Sequence, residues 1–287
     1  MTPATLKPDP PPEPRTGGIA SAIVSLLTPA HFKALPPTIS GVNYRERQGR
    51  GIRPLVDIYL PPGAGPHPSV ILVHGGGFLI GSRHMKPVRL LATRLCAAGY
   101  AVGAFDYRMI LRGGRLKEAL DDLDAMHRFW FGQAEAWHLD PARIHMAGFS
   151  AGAALMLLHA NSGPETPLAR LVSIYGAYDL SALRGWRTIV LNRLLFRSKD
   201  PHEWAARSPI NNCRFRAPLL VIHGIADRLS RITHAYRLVA TREAAGLKTR
   251  SAYFPAMPHA WLNDARLPES DAAIDAVLSF LKDDAAP

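Results

Sequence analysis

The feature that most restricts how this chain folds is an alternation that begins at Leu55. Short apolar runs at 55–60, 69–74, 101–107, 144–148, 171–175, 219–223 and 250–254 are each separated by longer stretches. Several runs are rich in Val and Ile and are apolar throughout, as in strands buried on both faces. The spacers at 85–98, 116–130, 151–159, 234–245 and 271–281 have helical length. The second carries a charged face of Glu118, Asp121, Asp122 and Asp124. Strand-then-helix repetition predicts an α/β fold: a mostly parallel central sheet with helices on both faces. The 287 residues, 47% hydrophobic and 20% charged, suit one large domain with a substantial core.

Two regions depart from this rhythm. Residues 1–16 hold six prolines and read as an extended arm, so the single domain is expected over 17–287. The stretch between 175 and 219 is long for a connection and includes the basic, apolar segment GWRTIVLNRLLFRSK at 185–199. With residues 17–40, the segment 179–212 is expected to form a small helical cap over the site. Trp186, Leu191, Leu194, Leu195 and Phe196 are then candidates to line an apolar pocket. A helix face packed on the sheet is the other reading of the same spacing.

Net charge is +11, but the cations are scattered. The dense runs at 45–50 and 108–115 are broken by glycine and lack interleaved aromatics, so a solvated basic surface is expected and nucleic acid is not. Contact with an anionic membrane surface is a variant, motivated by the charge and by the apolar segment 17–28. That segment follows Asp9, Glu13 and the prolines rather than a basic leader, so it reads as an amphipathic helix and the location as cytoplasmic. No stretch approaches the ~18 apolar residues of a membrane helix. The two cysteines, Cys96 and Cys213, form no CxxC or Cys/His cluster, so no structural zinc site is expected.

Chemistry concentrates in four places. Gly148-Phe149-Ser150-Ala151-Gly152 directly follows a strand and opens an Ala-rich helix. Small residues around a serine there permit a strained strand-to-helix turn that exposes its hydroxyl at a helix N-terminus, making Ser150 the candidate nucleophile. A glycine-rich turn with an incidental serine is the bland alternative. His74-Gly75-Gly76-Gly77-Phe78 ends another strand, and its glycines expose backbone N–H groups suited to an oxyanion. A phosphate cradle is disfavoured because the lysine of such loops is missing. A third strand runs into Gly224-Ile225-Ala226-Asp227, and a later loop carries Met257-Pro258-His259. His259 is the candidate base and Asp227 its orienter. His223 and Asp264 compete, but His223 still lies in or at the end of its strand and Asp264 follows the histidine.

The order Ser150, Asp227, His259 is that of the α/β-hydrolases. With HGGGF, DYR at 106–108, DPARIHMAGFSAG, SPI at 208–210, VIHGIADRL and FPAMPHAW, the chain over roughly 50–283 resembles the hormone-sensitive-lipase-like branch of α/β-hydrolase carboxylesterases. It is also similar to bacterial feruloyl-esterase-like relatives. The resemblance implies an α/β-hydrolase fold, a small-molecule ester substrate and no cofactor. It also implies oxyanion donors at the backbone of Gly76, Gly77 and Ala151. His74, Phe78 and Phe149 are candidates to contact substrate. The chain departs from the family where LAPE usually follows DYR, here Met109-Ile110-Leu111-Arg112, and at Phe149 and Ala153, where aspartate and glycine are common. Ester hydrolysis of short to medium acyl chains through an acyl-Ser150 intermediate is the expected activity. Amide cleavage, acyl transfer and a non-catalytic receptor remain alternatives, and oligomeric state is open.

Overall fold

In the computed structural model, residues 30–46, 52–182 and 186–283 are described, with only the backbone described at 186–188. Eight strands form one sheet: β1 (Ile39–Asn43), β2 (Leu55–Tyr59), β3 (His67–Val73), β4 (Ala101–Phe105), β5 (Leu139–Phe149), β6 (Leu171–Ile174), β7 (Leu219–Gly224) and β8 (Thr249–Phe254). Their spatial order is β1-β2-β4-β3-β5-β6-β7-β8. β2 runs antiparallel to both neighbours, and every pairing from β4 to β8 is parallel. Seven helices are described: α1 (Lys86–Ala97), α2 (Leu116–Gly132), α3 (Ala151–Asn161), α4 (Trp186–Phe196), α5 (Pro201–Ala206), α6 (Ile232–Ala244) and α7 (Pro268–Lys282).

The strand period of two explains how one sheet supports two cores. Along β3, Ile71 and Val73 face a core shared with α2, α3 and α6. Val70 and Leu72 face the other core, shared with α1 and α7. The same division recurs on β7, with Leu219 and Val221 on one face and Leu220 and Ile222 on the other. Gly103 in β4 leaves room for Trp130 of α2: a Cβ there would lie 2.7 Å from the indole ring. The indole N–H donates to Ser69 Oγ at 2.9 Å, which satisfies both buried groups.

All seven apolar runs become strands. The edge strand β1 carries no such signal, because Ile39–Asn43 is ISGVN, mostly exposed and only five residues long. It takes residues 39 and 40 out of the expected cap and into the sheet. Residues 1–29, including the Pro-rich arm and the segment 17–28, lie outside the described residues. The region between β6 and β7 contains helices α4 and α5. Leu195 and Phe196, offered above as pocket residues, are instead buried in the core shared with α2 and α3, whereas Leu194 is exposed. That face of α4 therefore follows the packed-helix reading. Asn192 secures the helix by donating to the Leu180 carbonyl at 2.5 Å. Among the described residues no helix is long and apolar enough to cross a membrane.

Candidate active site

β5 ends at Phe149 and α3 begins at Ala151, leaving Ser150 as the pivot. Its φ of 52° and ψ of −116° are strained for a residue with a side chain. The turn closes only because its flanks are small. A Cβ on Gly148 would lie 2.6 Å from the Ala153 Cα, and one on Gly152 would lie 2.2 Å from the Val73 carbonyl oxygen. The Ser150 carbonyl accepts from the Ala153 N–H at 3.1 Å, which starts the helix.

Two later loops converge on this serine. β7 and β8 are parallel neighbours, so their C-terminal loops emerge side by side. The Ile225 N–H bonds the Phe254 carbonyl at 2.9 Å, and a Cβ on Gly224 would lie 2.0 Å from the Met257 carbonyl. That close approach delivers Asp227 and His259 to each other. His259 Nδ1 lies 2.7 Å from Asp227 Oδ2, and its Nε2 lies 2.9 Å from Ser150 Oγ. A carboxylate only accepts, so the neutral imidazole carries its proton on Nδ1 and offers the Nε2 lone pair to the serine hydroxyl.

Asp227 is buried, and its second oxygen accepts from the N–H groups of Leu229 at 2.9 Å and Ser230 at 2.8 Å. Burial pushes its carboxyl upward, yet hydrogen bonds from His223 and His259 outweigh burial and hold it well below the usual carboxylate range. Asp264, the competing acid, pairs with Arg266 instead, through bonds of 2.9 and 2.8 Å. Its carboxyl falls to about 2 because of that guanidinium.

The glycine loop runs beside the serine: a Cβ on Gly75 would lie 3.2 Å from the Ser150 Cβ. Gly76 and Gly77 have φ of 114° and 63°, conformations that glycine adopts freely. A Cβ on Gly76 would overlap the Ile80 carbonyl at 1.8 Å. Ala151, at the start of α3, is buried beside the serine.

Three expected substrate contacts are corrected. His74, Phe78 and Phe149 are only 0%, 3% and 1% exposed. Phe149 is turned inward by the strand period of β5, His74 follows the end of β3, and Phe78 sits in the turn beyond at φ 61°. His74 stacks on Tyr107 with centroids 4.3 Å apart, and its Nδ1 bonds the Gly75 carbonyl at 2.7 Å. Phe78 and Phe149 join the two opposite cores. All three support the loop and the turn from beneath.

Where LAPE is missing, other groups hold the glycine loop. Asp106 accepts from the backbone N–H of Arg83 at 2.8 Å and from its guanidinium. The same guanidinium lies 3.0 Å from Asp57 on β2. The Ile110 N–H donates to the Phe78 carbonyl at 2.8 Å. Asp106 belongs to the DYR motif and was visible in the sequence; Arg83 and Asp57 had no motif to mark them. Tyr175, also unforeseen, sits at φ 38° with its ring edge-on to His259 at 5.2 Å. No group of three or more His, Cys, Asp or Glu arranged for a metal occurs among the described residues.

A mostly parallel eight-stranded sheet with helices on both faces, and with the serine turn, acid loop and histidine loop at one edge, is the architecture of an α/β-hydrolase. This chain belongs to the BD-FAE family, whose profile matches residues 56–241. Among solved structures, esterase B from Lactobacillus rhamnosis, studied with a C4-C4 SN3 tributyrin phosphonate, superposes with a TM-score of 0.77. Identity is 18%, and 91% of each chain is covered. The acetyl ester-xyloside bifunctional hydrolase from Caldicellulosiruptor lactoaceticus gives 0.72 at 18% identity, covering 86% of this chain and 97% of its own. The propionate-bound esterase Est2 from Thermogutta terrifontis gives 0.70 at 20% identity, covering 84% and 92%. At such identities the likeness concerns the fold.

Proposed function

We propose that this protein is a serine carboxylesterase acting on small-molecule esters. The observation that carries this reading is the continuous chain Ser150–His259–Asp227, with links of 2.9 and 2.7 Å. In the first step His259 Nε2 takes the Ser150 proton while Oγ attacks the ester carbonyl. The carbonyl oxygen gains negative charge, and backbone N–H groups of Gly76, Gly77 and Ala151 stabilise it; each such donor is worth about 3 kcal/mol. The imidazolium, steadied by the ionised Asp227, returns the proton to the leaving alkoxide, giving an acyl-Ser150. Water, activated by the same histidine, then releases the acid.

Short acyl groups are the substrates we favour, since Thermogutta terrifontis Est2 binds propionate and butyrate. A cap over the site formed with 179–212 stays part of this reading. Support comes from helices α4 and α5, which occupy the long β6–β7 connection. A cytoplasmic location is favoured by two buried, unpaired cysteines.

The test is hydrolysis of p-nitrophenyl esters from acetate to palmitate by the wild type and Ser150→Ala. Turnover highest on short chains and reduced at least about 10,000-fold in the variant is expected. A folded wild type without turnover on any ester would overturn the reading.

A further inference from the structure

Strands β5 to β8 begin at the edge of the sheet opposite the serine, and a cleft of about 860 Å³ opens there. Arg143, Arg170, Arg216, Lys248 and Arg250 line it, against one lining carboxylate, Asp283. This cluster is partly preassembled. Arg170 and Arg250 lie over the Phe280 ring, 5.5 and 6.0 Å from its centroid. Both also bond Asp283, Arg170 through the backbone carbonyl and Arg250 through the carboxylate. Arg143 is steadied by Asp140 at 2.6 Å.

A second observation points the same way. His145, one step along β5 from Ile144, lines the cleft and is 2% exposed. Among the described residues, neither of its ring nitrogens has a hydrogen-bond partner. A buried imidazole left unpaired is costly, and such a group calls for a partner supplied from outside the chain. Two of the five cations are paired with carboxylates, Arg143 with Asp140 and Arg250 with Asp283, and a ligand with several negative charges adds counter-charge to the cluster.

We propose that this cleft binds a small soluble molecule carrying two or more phosphoryl groups. Guanidinium forks match phosphoryl oxygens two at a time, and the imidazole N–H of His145 completes the floor. The cleft volume falls within the range of small-molecule sites, roughly 300–1,000 Å³. From Arg143 to Phe149, β5 takes six strand steps, about 20 Å. The bound anion therefore stands apart from Ser150 and is not the ester substrate.

Calorimetric titration of the full chain with inorganic pyrophosphate, at constant ionic strength, tests this. One saturable site is expected in the wild type and, unchanged, in Ser150→Ala. The double variant Arg216→Ala/Lys248→Ala alters only exposed side chains and weakens binding at least tenfold; His145→Leu weakens it about fivefold. Thermal unfolding confirms that each variant is folded. No saturable binding by the wild type, or wild-type affinity in the double variant, overturns the proposal. So does binding confined to phosphatidylglycerol vesicles with none to pyrophosphate, which would make the cleft a lipid-surface contact.

Discussion

His223 Nε2 lies 3.3 Å from Asp227 Oδ2, the same oxygen that takes the His259 Nδ1 proton at 2.7 Å. The Ser230 carbonyl, which only accepts, lies 2.7 Å from that His223 nitrogen, so Nε2 bears the proton. Ser230 in turn donates its N–H to Asp227 and its hydroxyl to the Gly176 carbonyl, at 2.8 and 2.6 Å. One buried histidine thus clamps both the acid and the loop that carries it. The residue that competed with His259 in the sequence is a positioning group for its partner.

His223→Ala is therefore expected to lower kcat roughly tenfold with little change in KM, because the acid loop loses its clamp while the substrate surface is untouched. His223→Gln, whose amide N–H reaches where Nε2 stands, should restore part of the rate. Steady-state kinetics on a short p-nitrophenyl ester decides it. A Gln variant no better than Ala would reduce His223 to packing.

Asp227 also predicts a pH signature. Its carboxyl is held below the ordinary range in the folded state, so it contributes stability that is present above the unfolded value of about 3.9 and lost as pH falls through the folded value. The melting temperature of the wild type, compared with Asp227→Asn, should differ by a constant amount from pH 8 to 5. The gap should close only below about pH 4. Closure already at pH 6 would show that the acid is not held ionised by its two histidines.

What the sequence revealed and what it hid have a common physical basis. Apolar runs and the Ser150 turn are local patterns: β5 and α3 cannot meet without small flanking residues, and that demand is written within five positions. Asp227 and His259 were readable because each follows a strand, and parallel neighbours bring their loops together. The clamp on the glycine loop was hidden because it is assembled from Asp57, Arg83 and Asp106, three charges on separate elements. β1 was hidden because an edge strand needs neither apolar continuity nor alternation. Phe149 misled for a related reason: in sequence it adjoins the nucleophile, but the strand period sends its side chain into the core shared with α1 and α7.

The Arg83 clamp yields a prediction of its own. Its guanidinium joins Asp57 of β2 to Asp106 just beyond β4, and its N–H holds the segment that follows the glycine loop. Arg83→Ala should lower kcat by about 10- to 100-fold through misplacement of the oxyanion donors, since displacements near 1 Å have that scale of effect. Circular dichroism should show an intact fold. A fully active Arg83→Ala would show that the loop is held without it.

Gly152 is the most demanding position of the turn. A Cβ there meets two carbonyl oxygens, of Val73 at 2.2 Å and His74 at 2.3 Å, and both belong to backbone that cannot swing aside. Gly152→Ala should destabilise the protein by about 2–4 kcal/mol and abolish turnover, because relief requires α3 to move off β3. Urea unfolding and an ester assay would measure the two effects. A variant of wild-type stability would mean the elbow has slack that its packing does not show.

Finally, buried histidines away from the triad, His127, His145 and His159 among them, set the acid limit of the fold. Burial depresses His127 and His159 to about 4 and His145 to about 3. The folded state therefore keeps them neutral, while the unfolded chain takes up their protons below about pH 6.5. Because the unfolded state binds more protons in that window, stability must fall as pH drops from about 6.5 toward 4, then level off as the folded state is protonated. Each histidine adds on the order of 1 kcal/mol per pH unit within the window. Urea unfolding at pH 7.5, 6 and 5 should trace this fall, and His145→Leu should make the slope shallower. An unfolding free energy unchanged between pH 7 and 5 would mean that water or a bound anion already satisfies these rings in their charged form.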